Sequence, residues 1–314
     1  MSGMVADAAY ARESIAKGSR SFAAASRLLP VAVRDDVARL YAWCRHADDL
    51  IDGQVLGHGE SVVPDPDVRL ARLRTLTDAA LRGERSGDPV FDGFGAVAAR
   101  HGITRPLAHD LLDGFAMDVE GRRYATEDDL AAYCYGVAGA VGVMMALVIG
   151  VPARDGDTLD RACDLGLAFQ MTNIARDVIA DARTGRVYLP TDWLAAEGVA
   201  ARPEAVADPA NAAAVFRATE RLVAAADRYY ASARVGIARL PFRVAWAIAS
   251  AGAVYRAIGT RRRKAGPEGL GDRVSTGGAL KARLIASSAL VAARRPKPDA
   301  AFARDGLWTR PARP

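Results

Sequence analysis

A chain of 314 residues with 51% hydrophobic and 25% charged side chains has the composition of a folded protein with a substantial core, in one domain or two, and not that of a disordered one. The net charge of +5 comes with no nucleic-acid-binding motif, which excludes nucleic acid as the expected partner. Three cysteines, Cys44, Cys134 and Cys163, form no C-x-x-C pair, so neither a disulfide framework nor a zinc site is indicated and a reduced, cytoplasmic setting is expected. Asp7, Arg12 and Glu13 precede any long apolar run, so the N-terminus does not read as a signal peptide.

Strong helix formers dominate and long alternating β-branched runs are absent, so the chain reads as all-α. A first helix is expected over about 8–29, interrupted near Gly18 and ended by Pro30, and a second over about 34–51. Gly53, Gly57, Pro64 and Pro66 mark a loop, after which helical patterns resume over about 68–82, 89–100 and 106–119. Thr126 followed by Glu127, Asp128 and Asp129 reads as an N-terminal cap with acids in the first turn. The stretch it leads, from Tyr133 to Val151, carries no charge and approaches the length of a membrane span. Gly136, Gly139, Gly142 and Gly150 within it favour a close-packed core helix, or the wall of an apolar cavity.

Beyond Pro152 a long helix is expected over 157–182, then an irregular connection over 185–190 and helices at about 192–196, 211–235, 241–263 and 279–294. No solenoid-length repeat and no splitting linker occur, so residues 1–293 read as one helical domain, followed by a basic tail over 294–314. That tail holds Arg294, Arg295, Lys297, Arg304, Arg310 and Arg313 against Asp299 and Asp305, and Arg261 to Lys264 is a second basic cluster. Such patches are either solvated or attract phosphates or an anionic membrane surface.

Two acidic pairs carry the chemistry. Asp48 and Asp52 lie four residues apart, with Asp49 between them, and Asp177 and Asp181 repeat the spacing 129 residues later. On a helix each pair shares one face, where like charges cost roughly 0.2–0.5 kcal/mol. A divalent cation converts that cost into a binding site, and hard carboxylate oxygens with substrate phosphates suit Mg²⁺. Arg45 and Tyr41 precede the first pair at helical intervals, and Gln170, Asn173 and Arg176 precede the second. The resulting polar stripe, interleaved with Phe169, Met171, Ile174 and Val178, needs partners that metal, diphosphate and water would supply together. Ser19 and Ser21, with Arg20 between them, and Arg186 with Tyr188 add further phosphate-binding groups.

Taken together these segments resemble the squalene/phytoene synthase family, most closely its bacterial phytoene-forming branch. The resemblance runs through Gly18–Phe22, Tyr41–Asp52, Tyr133–Gly142 and Phe169–Asp181 into Gly185–Pro190, and covers about residues 15–263. It implies a single all-α isoprenoid synthase (class I terpenoid synthase) domain with a central cavity. It further implies that two geranylgeranyl diphosphates are joined head to head, through cyclopropyl prephytoene diphosphate, to phytoene. By the family pattern Asp48, Asp49, Asp52, Asn173, Asp177 and Asp181 would hold Mg²⁺, or alternatively Mn²⁺. Tyr41, Arg45, Ser19, Ser21, Gln170, Arg176, Arg186 and Tyr188 would hold diphosphate or order the metal shell. Phe22, Tyr133, Val137, Gly142 and Tyr255 would line the cavity. Ala180 stands where many relatives carry a further acid.

Sibling enzymes that join two farnesyl diphosphates to squalene, dehydrosqualene or hydroxysqualene are the alternative. No nucleotide-binding glycine fingerprint is present, so no NADPH is expected. Peripheral contact with a membrane and contact with neighbouring carotenoid-pathway enzymes are further candidates.

Overall fold

Val37, Leu40, Trp43, Ala47 and Ile51 recur at helical intervals, and all five are buried on one side of helix α2 (Val31–Asp52). Pro30 opens this helix, and Gly53, at φ 65°, closes it in the left-handed region open to glycine. The computed structural model describes residues 15, 20–53, 65–294 and 303–312, without the side chains of Arg20, Ser21 and Asp52. Ahead of α2 lies the short α1 (Arg20–Ser26). After it come α3 (Pro66–Leu81), α4 (Pro89–His101) and α5 (Arg105–Val119), each with proline in its first turn, where no helix hydrogen bond is lost. Trp43 stacks on Phe94 of α4 with ring centroids 3.9 Å apart, joining α2 to this group.

The Thr126 cap forms as a full capping box with Asp129 and starts α6 (Glu127–Cys134). The uniform helix expected next is interrupted: Tyr135–Gly139 is a π-helical turn, and α7 (Ala140–Val148) follows. Glycine explains how neighbours tolerate the wide turn. A Cβ on Gly136 would come within 2.7 Å of the Gly114 Cα on α5, so the two backbones touch. The whole 127–148 stretch is long and apolar enough to span a bilayer, yet most of it is buried inside the fold.

Helix α8 (Gly156–Arg183) is the central element, started by Asp155, which accepts a hydrogen bond from the Thr158 amide. Its buried residues, among them Leu159, Cys163, Leu167, Met171, Ala175 and Val178, face several directions because neighbours surround it. Beyond it run α9 (Thr191–Ala196), the short α10 (Pro203–Ala207) and a 3₁₀ turn (Pro209–Asn211). Then come α11 (Ala212–Ile237), which packs most extensively along α8, α12 (Phe242–Ala265) and α13 (Gly278–Arg294). Among the described residues there is no strand.

The end of the chain departs from a solvated basic tail. Residues 303–312 return to the core, where Arg304 grips the fully buried Asp164 through two hydrogen bonds of 2.8 Å. Arg310 bonds Asp160 at 2.6 Å, and Trp308 lies 5.1 Å from Tyr135 of the π-turn, centroid to centroid. The cause is on α8: Asp164 is fully buried and requires a counter-charge, and Asp160, one turn earlier, is half-buried beside it. Arg262 of the second basic cluster is likewise internal, being only 1% exposed, and Arg263 pairs with Asp227 at 2.8 Å.

Candidate active site

The helices enclose a cavity of about 490 Å³ with a charged mouth and an apolar, aromatic lining. Asp48 and Arg45 reach its mouth from the end of α2. Gln170, Asn173, Arg176, Asp177 and Asp181 reach it from α8, and Arg186 and Tyr188 from the turn that follows. That turn is folded back on the helix by a 2.8 Å hydrogen bond from the Arg186 amide to the Asp181 carbonyl. Two acidic helices far apart in sequence therefore meet at one opening. Asp49 does not line the cavity, because one residue along a helix is about 100° around it. Ser19 and the side chains of Ser21 and Asp52 lie outside the described residues.

Electrostatics at the mouth are unbalanced on α8. Arg45 pairs with Asp48 at 2.5 Å, and Arg176 donates to both Asp177 oxygens at 2.8 and 3.0 Å. Burial works against the Arg45 and Arg176 charges, but the neighbouring carboxylates more than offset it, so both guanidiniums stay protonated. At Asp181 the charges of Arg186 and Arg176 pull the same way but do not offset its burial. Burial, and then the charge of Asp177, push its carboxyl up to about 7. Two turns earlier on the helix, the Oδ1 of Asn173 is buried without a hydrogen-bond partner while its amide nitrogen bonds Gln170 at 3.4 Å. An unpartnered amide oxygen with carboxylates on the same helix face is a set of hard oxygen donors, and these fit Mg²⁺. Among the described residues no three carboxylates, histidines or cysteines are gathered into a ready-made cluster. Asp48 and Asp177 are each held by a neighbouring arginine.

Inside, aromatic side chains form two groups. Phe22, Tyr41, Phe169 and Tyr255 make one wall, with Phe169 and Tyr255 centroids 4.4 Å apart and Phe22 and Phe169 edge to face at 5.7 Å. Tyr133 and Tyr188 stack at 5.1 Å on the other side, backed by Tyr124. Val137 and Gly142 complete this part of the lining. Gly142 is there because a Cβ would come within 2.4 Å of the Ala162 carbonyl oxygen of α8. Sequence reasoning missed Asp118 of α5, whose two oxygens accept hydrogen bonds from Tyr133 at 2.9 Å and Tyr188 at 2.8 Å. Its one available signal was an acid on the same helix as buried Leu111, Leu112 and Phe115. Phe169, read only as apolar filling, also faces the cavity.

A charged mouth over an apolar, aromatic-lined pocket agrees with what known proteins share with this chain. The family model for squalene/phytoene synthase matches residues 15–279. The chain belongs to the squalene/phytoene synthase family. It is 54% identical to a 15-cis-phytoene synthase of a Paracoccus species, over 95% of this chain and 96% of that protein. It is 48% identical to a phytoene synthase of Pseudescherichia vulneris, over 96% and 97%. The fold superposes on the crystal structure of a dehydrosqualene synthase in complex with ligand, with a TM-score of 0.78 and 28% identity, covering 91% of this chain and 96% of that one. A squalene synthase from Alicyclobacillus acidocaldarius shares the all-α isoprenoid synthase fold at a TM-score of 0.73 and 22% identity, covering 84% and 95%.

Proposed function

We propose that this chain is a phytoene synthase, a prenyltransferase that joins two geranylgeranyl diphosphates head to head and releases both diphosphates. The observation that carries this reading is the meeting of the α2 and α8 acidic motifs at the mouth of one aromatic-lined cavity. The 47–54% identity to phytoene synthases over nearly the whole chain favours the longer substrate over farnesyl diphosphate.

Mg²⁺ bound to Asp48, Asp52, Asn173, Asp177 and Asp181 would neutralise charge developing on the departing diphosphate. Arg45, Arg176 and Arg186 line the same mouth and supply fixed positive charge to phosphate oxygens. Phe22, Phe169 and Tyr255 keep water from the allylic cation left behind and present π-faces to it. Tyr133 and Tyr188, fixed through Asp118, hold the opposite wall. NADPH has no step in this scheme.

We further propose a cytoplasmic protein working against an anionic membrane surface that receives the hydrocarbon product and hosts neighbouring pathway enzymes. Exposed Phe242, Leu290 and Val291, on two helices that contain no acid, support this contact. Arg304 and Arg310, occupied by Asp164 and Asp160, do not.

The test is product analysis with geranylgeranyl and farnesyl diphosphates offered separately, with Mg²⁺ and with chelator. Phytoene from the longer substrate, lost with chelator, is expected. Product from farnesyl diphosphate alone would move the enzyme to the squalene-forming branch, and no product from either would remove the reading.

A further inference from the structure

Arg262 sits in the last turn of α12, only 1% exposed, behind the charged mouth of the cavity. Its Nη2 donates to the carbonyl of Arg176 at 2.8 Å and to that of Asp272 at 2.7 Å, and its Nη1 donates to the carbonyl of Gly269 at 2.6 Å. One side chain thus ties three pieces of backbone together: its own helix, α8 beside Asp177, and the turn over 266–272. Nε is buried with no partner, and among the described residues no carboxylate forms an ion pair with Arg262. Burial lowers its proton affinity, while the more distant charges of Asp177 and Asp272 oppose that loss.

Such a group is an expensive way to hold a fold together. A buried guanidinium facing only carbonyl dipoles costs several kcal/mol that an apolar side chain of similar volume would not. Lysine could keep the charge but not the reach to three separate carbonyls, because its three N–H donors radiate from one nitrogen and not from a planar fork. What the guanidinium adds is a fixed backbone at Arg176 and a positive charge that no acid pairs off, both directed at the residues that would meet a metal-bound diphosphate.

We infer that Arg262 is a positioning residue for the diphosphate end of the site: by clamping the Arg176 carbonyl to the 266–272 turn it fixes the Arg176–Asp177 pair for the transition state. This rests on the proposed phytoene-forming activity, so the wild-type enzyme must first make product; if it does not, that reading fails rather than this one.

The test compares Arg262→Lys and Arg262→Met in the full chain, assayed well below their melting temperatures with saturating Mg²⁺. Arg262→Lys is expected to lower kcat about tenfold, equivalent to about 1.4 kcal/mol, with KM changed less than about twofold. Arg262→Met is expected to lose more. If Arg262 acts through Arg176, adding Arg262→Lys to an Arg176→Gln background lowers kcat by less than about threefold. A purely structural role predicts a lower melting temperature with wild-type kcat per folded molecule, and that result overturns the inference. Full additivity in the double variant overturns it equally. Should the methionine variant fail to fold, the lysine variant and the double variant decide.

Discussion

Asp181 offers a sharp test of the electrostatics, because function and stability pull it in opposite directions. Its carboxyl is raised to about 7 by burial and by Asp177, against an unfolded value of about 3.9. The folded state therefore favours the proton. That preference is fully satisfied below pH 4 and is lost progressively as the pH rises towards 7, above which the fold carries the whole cost of an ionised Asp181. A carboxyl raised that far costs the fold about 4 kcal/mol when ionised, and partial exposure of the side chain reduces this to an expected ~2–4 kcal/mol. Asp181→Asn removes the charge and keeps the shape. In chelator at pH 8.5 it should melt higher than wild type by roughly 4 to 8 °C, at about 2 °C per kcal/mol for a chain of this length. The gain should shrink steadily as the pH falls from 7 towards 4. The same variant should lose at least about a hundredfold in turnover, since a carboxylate proposed to hold Mg²⁺ has been removed. Thermal scans of both proteins across pH, with and without Mg²⁺, measure this directly. An unchanged or lowered melting temperature at pH 8.5, or a gain independent of pH, would refute the reasoning.

Asp48→Ala and Asp177→Ala should each abolish turnover while leaving the helical circular dichroism intact, because both side chains stand at the cavity mouth and not in the core. Near-normal turnover in either would remove the metal assignment. Gly142→Ala should cost on the order of 1–3 kcal/mol in denaturant unfolding, since its Cβ would meet the backbone Ala162 oxygen at 2.4 Å. Arg304→Met should cost about 3–5 kcal/mol by leaving Asp164 buried and unpaired, and Asp164→Asn in the same chain should recover much of that loss. Leu290→Glu should weaken flotation with phosphatidylglycerol vesicles without changing turnover in detergent. That variant tests the membrane surface more cleanly than deleting residues 294–314, which would also remove the Arg304 and Trp308 contacts.

The helices were legible in the sequence because their signals are local. Apolar spacing places α2 and α8, proline and glycine mark the ends of α2, and Thr126 with Asp129 announces α6. The two acidic pairs were legible for the same reason: four residues apart on a helix fixes which carboxylates share a face. Other features depend on what lies across a gap, and no local pattern carries that. The π-turn at Tyr135–Gly139 follows from the backbone of α5 coming close to Gly136. Asp118 acquires meaning only when Tyr133 and Tyr188, on two other segments, close upon it. Arg262 and Arg304 look like surface charge along the sequence, yet tertiary packing buries one under three carbonyls and the other against Asp164. Sequence alone determined which carboxylates and arginines share a helix face. The tertiary structure decided which arginines face the site and which hold it in place, because burial and pairing are set by distant segments whose approach no local spacing encodes.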